Sequence, residues 1–219
     1  MRGKRQDVTV SPNGRERPID RERLVVAALD LADEEGGEAL SMRAVAKRVD
    51  RQVSSLYNHV SGRGELIELV RARIVASIDI GAFDHEPWDV ALEAWAKSYL
   101  RAFAAHPKLI RLLATTPIRD VSTFAMYDAV VTSLVSSGWP IQDAVAVMRT
   151  VEAHVLGSAL DIVAPGDMLA QSAVPAELAT IRAALDPAHA ESYGAGPAFR
   201  LGLEALLSGL RARRERLTH

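Results

Sequence analysis

Apolar residues recur along this chain at three- and four-residue steps, the spacing that gathers them on one face of an α-helix. Leu24, Val25, Ala28, Leu31 and Ala32 form the first such set. Asp20 is placed to cap its start, and Gly36-Gly37 to stop it. Ser41 caps a second helix whose inner face carries Met42, Val45, Ala46 and Val49, although Ala44 stands where a capping box needs Glu or Gln. After a break at Asp50-Arg51-Gln52 the pattern predicts a third helix over 53–60 and, past Ser61-Gly62, a longer one over 63–80. Further helices are predicted over 88–105, 107–114, 120–137, 141–163, 175–185 and 197–216. Pro107, Pro117, Gly138-Trp139-Pro140, Pro165-Gly166 and residues 194–197 mark the breaks. The stretch 164–174 reads as a loop. No segment alternates with the period of a strand and no unit repeats, so the predicted fold class is all-α.

Residues 1–19 have no apolar periodicity and carry Arg2, Lys4, Arg5, Arg15 and Arg17 among Pro12, Gly14 and Pro18. They read as a basic, flexible arm. The predicted organisation is this arm, a three-helix helix-turn-helix module over 20–66, and a helical body over 67–219.

The third helix carries the first functional signal. At about 100° per residue, Val53, Leu56 and Val60 fall within an arc of about 60°, with Tyr57 at its edge. Ser54, Ser55, Asn58 and His59 occupy the rest. An ordinary surface helix shows Glu and Lys there; this one shows only small or hydrogen-bonding groups, which suit base edges in a major groove. Tyr57, held by its ring, can turn its hydroxyl to a phosphate. Charge agrees. Residues 1–73 hold 14 Lys+Arg against 12 Asp+Glu, whereas residues 74–219 hold 12 against 16. Between Arg43 and Arg63 the only acid is Asp50. A basic segment of this kind suits a polyanion.

The stretch RERLVVAALDLADEEGGEALSMRAVAKRVDRQVSSLYNHVSGRGELIELV resembles, without a gap, the TetR family of bacterial transcriptional regulators. The resemblance implies that Arg43 touches DNA, that Ser54, Ser55 and Asn58 face bases, and that Tyr57, His59 and Arg63 hold phosphates. Two departures occur. The family has Gly where Asp50 stands, but Asp tolerates a left-handed backbone better than most residues. The family has Ser or Asn then Lys at Gly62-Arg63, where Gly is an acceptable cap and Arg keeps the cation. The arm either enters a minor groove or is a solvated extension.

The second half resembles the subgroup around the tetracycline repressor through LATTP at 113–117, Ser137-Gly138-Trp139, VLGSALD at 155–161 and FRLGLEALLSGL at 199–210. In that subgroup the helices beginning near Ile141 and Phe199 build a four-helix dimer core. Here Val155, Ala159, Phe199, Leu203, Leu206 and Leu210 are the residues expected at a homodimer interface, with Gly202 and Gly209 permitting close approach; the alternative is core within one chain. The resemblance also puts Thr116, Arg149 and Glu152 at effector positions, beside Met148 on the same helix. Arg149 and Glu152, three residues apart, either satisfy each other or meet a ligand. Asp161 replaces a Glu of the subgroup's metal–drug site, while Leu112 stands where that subgroup has a metal-ligating His. The missing imidazole argues against Mg²⁺-chelated tetracycline and for another effector. Trp95, Tyr99 and Phe103 share one helical face, and Phe124 and Tyr127 lie on a neighbouring helix. In a chain only 5% aromatic this clustering favours a cavity for a flat, ring-containing molecule. His106, beside Pro107, is expected to cap its own helix end.

The 219 residues, 48% of them hydrophobic, describe a globular protein with room for a sizeable core. The absence of Cys excludes disulfides, thiol nucleophiles and Cys-ligated metals. With no long apolar run and no apolar stretch behind the basic start, a cytoplasmic location and no membrane partner are expected. No nucleophile elbow, P-loop, zinc helix or strand-preceded glycine loop is present, so neither catalysis, metal nor cofactor is expected. The resulting expectation is a homodimeric, ligand-responsive transcriptional repressor that binds a palindromic operator in double-stranded DNA and is released by a small molecule, a drug or secondary metabolite.

Overall fold

The computed structural model describes residues 20–217; the N-terminal arm lies outside the described residues. Helix α1, Arg21–Glu35, begins where the Asp20 carboxylate accepts from the Arg23 N–H at 2.8 Å, and it ends at Gly36, φ +96°. Helix α2, Met42–Arg48, is capped by Ser41, whose hydroxyl accepts from the Ala44 N–H at 3.2 Å. Asp50 then turns the chain at φ +54°, the only positive φ outside glycine among the described residues. The tolerance of Asp for this region is therefore used.

Helix α3, Val53–Leu56, is shorter than the predicted 53–60. No side chain caps its start, and the Asn58 and His59 N–H groups bond three residues back, to Ser55 and Leu56, so that the chain tightens into turns. Leu24, Ala28, Val45, Leu56 and Val60 are buried between these three helices.

Helix α4, Arg63–Val75, also stops short of the predicted residue 80. Beyond it the Ser77 hydroxyl donates to the Ile74 carbonyl, and the Asp79 N–H is taken by the Ser98 hydroxyl at 3.0 Å. The body comprises α5 (Trp88–Ala104), α6 (Pro107–Thr115), α7 (Val121–Ser136), α8 (Ile141–Ile162), α9 (Ala179–Ala184), α10 (Ala190–Tyr193) and α11 (Ala195–Arg216). The described residues contain no strand, and the predicted all-α class holds. Helix α8 is central, packed by α5, α7 and α11.

That packing corrects part of the expected dimer set. Val155, Ala159, Phe199 and Leu203 are buried within the chain, because α8 and α11 lie side by side and turn these residues towards each other. Gly202 serves the same contact: the His154 ring stacks on Phe199, and a Cβ on Gly202 would meet His154 Cε1 at 2.4 Å. Leu206 and Leu210 are half-buried, and Gly209 faces open space.

Two sets of contacts join the module to the body. Near α1, His106 Nδ1 lies 2.8 Å from Asp33 Oδ2, Lys108 Nζ donates to the Glu34 carbonyl, and Gly37 packs on Leu112. His106 thus bridges to α1 instead of capping its own helix. From α4, the buried Arg71 donates to the carbonyls of Leu113 and Thr116 at 3.0 and 2.9 Å. Glu68, paired with Arg71, accepts from the Arg119 and Asp120 N–H groups at 2.7 and 2.8 Å.

Candidate functional site

One surface and one cavity concentrate the chemistry. On the surface, Arg43 of α2 and Ser54, Tyr57 and Asn58 of the α3 segment are exposed, Tyr57 to 56%. Lys47, one turn after Arg43, is exposed as well; it belongs to the basic stretch between Arg43 and Arg63 but was not among the expected DNA contacts, although the four-residue step along one helix was an available signal. Ser55 is half-buried, with its hydroxyl donating to the Gln52 carbonyl at 2.7 Å, so its proton is already used. His59 is half-buried and its carbonyl accepts from Arg21 Nε. Arg63 is exposed, but its Nε donates to the Leu40 carbonyl at 2.6 Å, which fixes the start of α4 against the end of the segment before α2.

The cavity, about 1150 Å³, lies between α4, α5, the end of α6, α7 and α8. Tyr99 and Phe103 stack face to face in its wall, ring centroids 4.7 Å apart and planes 5° apart. Tyr99 donates its hydroxyl to Glu152 Oε1 at 3.0 Å, and Tyr127 donates to the same oxygen. Burial, reinforced by the neighbouring carboxylate, raises both phenols well above the usual tyrosine range. They stay protonated and act as donors.

Eight of the ten residues expected at an effector site line this cavity: Tyr99, Phe103, Thr116, Phe124, Tyr127, Met148, Arg149 and Glu152. Trp95 does not. It is fully buried behind Tyr99, centroids 5.2 Å apart, because its helical position points one turn deeper into the bundle. Asp161 is exposed near the end of α8, outside the wall. Arg149 and Glu152 do not satisfy each other. Glu152 is held by the two phenols, while Arg149 makes no hydrogen bond or ion pair among the described residues. Sequence reading missed Arg71, Ile118 and Asp128 in the wall. Arg71 left a trace: it sits among Ile67, Val70, Ile74 and Val75 at a position that helical spacing makes internal.

These residues do not fit a chelated metal. Leu112 offers no lone pair and packs on Gly37, and Asp161 stands off the wall. Among the described residues no three His, Asp or Glu side chains gather as a metal-binding group. No described helix is long and apolar enough to cross a membrane.

The architecture defines a two-part helical protein, a helix-turn-helix module joined through one helix to a body with a ligand-sized cavity. The profile of the tetracyclin repressor-like C-terminal domain matches residues 82–214, and the chain belongs to that family. It is 33% identical over 139 residues to the HTH-type transcriptional repressor DrrR1 of Streptomyces coeruleorubidus; the match covers 63% of this chain and only about half, 52%, of that relative. It is 25% identical over 199 residues to the class E tetracycline repressor of Escherichia coli, covering 90% and 92% of the two chains. The crystal structure of apo ActR from Streptomyces coelicolor superposes with a TM-score of 0.75 at 26% identity, over 91% of this chain and 98% of that one. ActR has also been solved with (S)-DNPA and with actinorhodin.

Proposed function

We propose that the protein is a ligand-responsive transcriptional repressor that binds a palindromic operator as a homodimer and leaves it when a small molecule occupies the cavity. The observation that carries this reading is the sharing of α4. Its first residue, Arg63, is tied to the Leu40 carbonyl of the DNA module, and about two turns on Arg71 holds the carbonyls of Leu113 and Thr116 at the cavity wall. A ligand that displaces that wall therefore moves the helix on which the module is mounted. To switch occupancy from 99:1 to 1:99 it needs about 5.5 kcal/mol of differential affinity for the released form. The ligand complexes of ActR, a similar structure, support a small-molecule effector here.

On DNA, Arg43, Lys47 and Arg63 neutralise phosphates, Tyr57 adds a hydroxyl, and Ser54 and Asn58 read base edges. One short segment reads only a few base pairs, and a dimer reads two half-sites about 34–36 Å apart. The homodimer uses the outward faces of α8 and α11. Leu160 and Leu201 are exposed there, Leu201 to 71%, and a Cβ on Gly157 or Gly209 would meet open space.

The deciding experiment is fluorescence anisotropy of the protein with the DNA upstream of its own gene, followed by a ligand screen for release. Binding to two symmetric half-sites, reversed by a compound that Thr116→Trp no longer admits, is the expected result. A protein that binds no such DNA at low salt, or whose ligand response survives Thr116→Trp, overturns the reading.

A further inference from the structure

The cavity holds two polar groups of opposite hydrogen-bonding sense on one helix face. Both phenolic protons of Tyr99 and Tyr127 go to Glu152 Oε1. Glu152 Oε2 accepts nothing among the described residues and is not sealed from the cavity that Glu152 lines. What remains at this spot is lone pairs: one carboxylate oxygen and the backs of two phenol oxygens, each of which has spent its only donor. A ligand atom seated here must bring a proton.

Arg149 is the reverse. It carries five N–H donors and no acceptor, lines the same wall, and has no partner among the described residues. Arg71, the other cation of the wall, has its charge paired by Glu68 and three of its five N–H donors engaged by Glu68 and two carbonyls, so Arg149 is the cation left to meet an anionic ligand. Arg149 and Glu152 are three residues apart on α8, which sets their Cβ atoms about 5–6 Å apart on one face. The same wall carries the rings of Phe103 and of Phe124, the latter 53% exposed, while Tyr99 is covered by Trp95 and Phe103. Asp128, exposed in the same wall, keeps the overall charge there low.

Resting on the proposed effector role of this cavity, the geometry points to a planar aromatic acid that carries a phenolic hydroxyl on the same edge as its carboxylate, meta to it, so that the phenolic proton is not held by the ligand's own carboxylate. The ring packs on the aromatic part of the wall, where Phe124 is exposed, the hydroxyl donates to Glu152 Oε2, and the carboxylate accepts from the Arg149 guanidinium. An aromatic amine without an acidic group leaves Arg149 unmatched. An aromatic acid without a hydroxyl leaves Glu152 Oε2 without a donor. The arrangement therefore discriminates by hydrogen-bonding sense as well as by shape, which is where a buried polar site gains most selectivity.

The test is direct binding, without DNA, of three probes: 4-hydroxy-2-naphthoate, 2-naphthoate and 1-naphthol, followed by calorimetry and by quenching of tryptophan emission. The hydroxynaphthoate is expected to bind at least tenfold more tightly than either of the others. In Arg149→Met its advantage over 1-naphthol disappears; in Glu152→Gln its advantage over 2-naphthoate disappears. Arg149 is exposed, so Arg149→Met is expected to keep the wild-type melting temperature, and the comparison survives even if Glu152→Gln folds poorly. Equal affinity for the three probes, no binding of any, or a preference unchanged in Arg149→Met overturns the proposal. If DNA is bound and released by another compound while the probes show no preference, the ligand class is wrong and the regulator reading stands. If the preference appears but no upstream DNA is bound, the regulator reading fails alone.

Discussion

Arg71 and Thr116, 45 residues apart, are joined by a hydrogen bond of 2.9 Å from the Arg71 guanidinium to the Thr116 carbonyl. A second bond, to the Leu113 carbonyl, means that one side chain closes the end of α6, whose last carbonyls have no partner within the helix. Glu68 completes the arrangement by accepting the two N–H groups that lead into α7. Replacing Arg71 by Met removes the charge and leaves Glu68 and two carbonyls short of donors. The expected cost is about 3 kcal/mol or more, read from the urea midpoint. Arg71→Lys is expected to recover only part of it, since an ammonium lacks the planar fork. A loss below about 1 kcal/mol for Arg71→Met would show that water replaces the guanidinium freely.

At the DNA surface, Tyr57→Phe is expected to weaken binding to all operators alike, because a phosphate contact carries no base information. Asn58→Ala is expected instead to relax the preference at one position of each half-site, by about 1–3 kcal/mol. Binding to a set of singly substituted operators separates the two outcomes. A change of base preference in Tyr57→Phe would remove the phosphate role.

The raised phenols give the protein an alkaline limit. A group whose folded pKa lies above its unfolded value stabilises the fold below the unfolded pKa, about 10 for tyrosine, and that contribution is lost as pH rises towards the folded value. Phenolate absorbance from Tyr99 and Tyr127 is therefore expected only together with unfolding. Tyr99→Phe/Tyr127→Phe should remove that part of the titration. Ionisation of either phenol in a still-helical protein, followed by circular dichroism, would contradict the buried geometry.

Two backbone positions make opposite demands. Asp50 at φ +54° tolerates Gly and resists β-branched residues, so Asp50→Val is expected to be less stable than Asp50→Gly by about 1–2 kcal/mol. Gly202→Ala drives a methyl into the His154 ring and is expected to cost about 1–3 kcal/mol. Thermal melts measure both, and His154→Ala combined with Gly202→Ala should cost less than the two single changes added together.

Much of this molecule was legible from short-range pattern. The caps at Asp20 and Ser41, the stop at Gly36, the turn at Asp50 and the limits of α5, α7 and α8 all follow from residues within a few positions of one another. Where competing local bonds arise, as at Ser77, the pattern ran too long. The short α10 left no periodic signal at all.

The linear order of residues determined by itself that the chain is helical, where α1, α2, α5, α7 and α8 start and stop, and that an uncharged polar segment follows a tight turn, since those outcomes depend on neighbours one to four positions away. Tertiary structure alone decided which face of the nearly all-apolar α8 turns inward, so that Val155 and Ala159 join the core while Glu152 meets Tyr99, 53 residues away, and Arg149 stays unmatched. A helix that is apolar on every side carries no direction in its periodicity. Only the helices packed around it supply one.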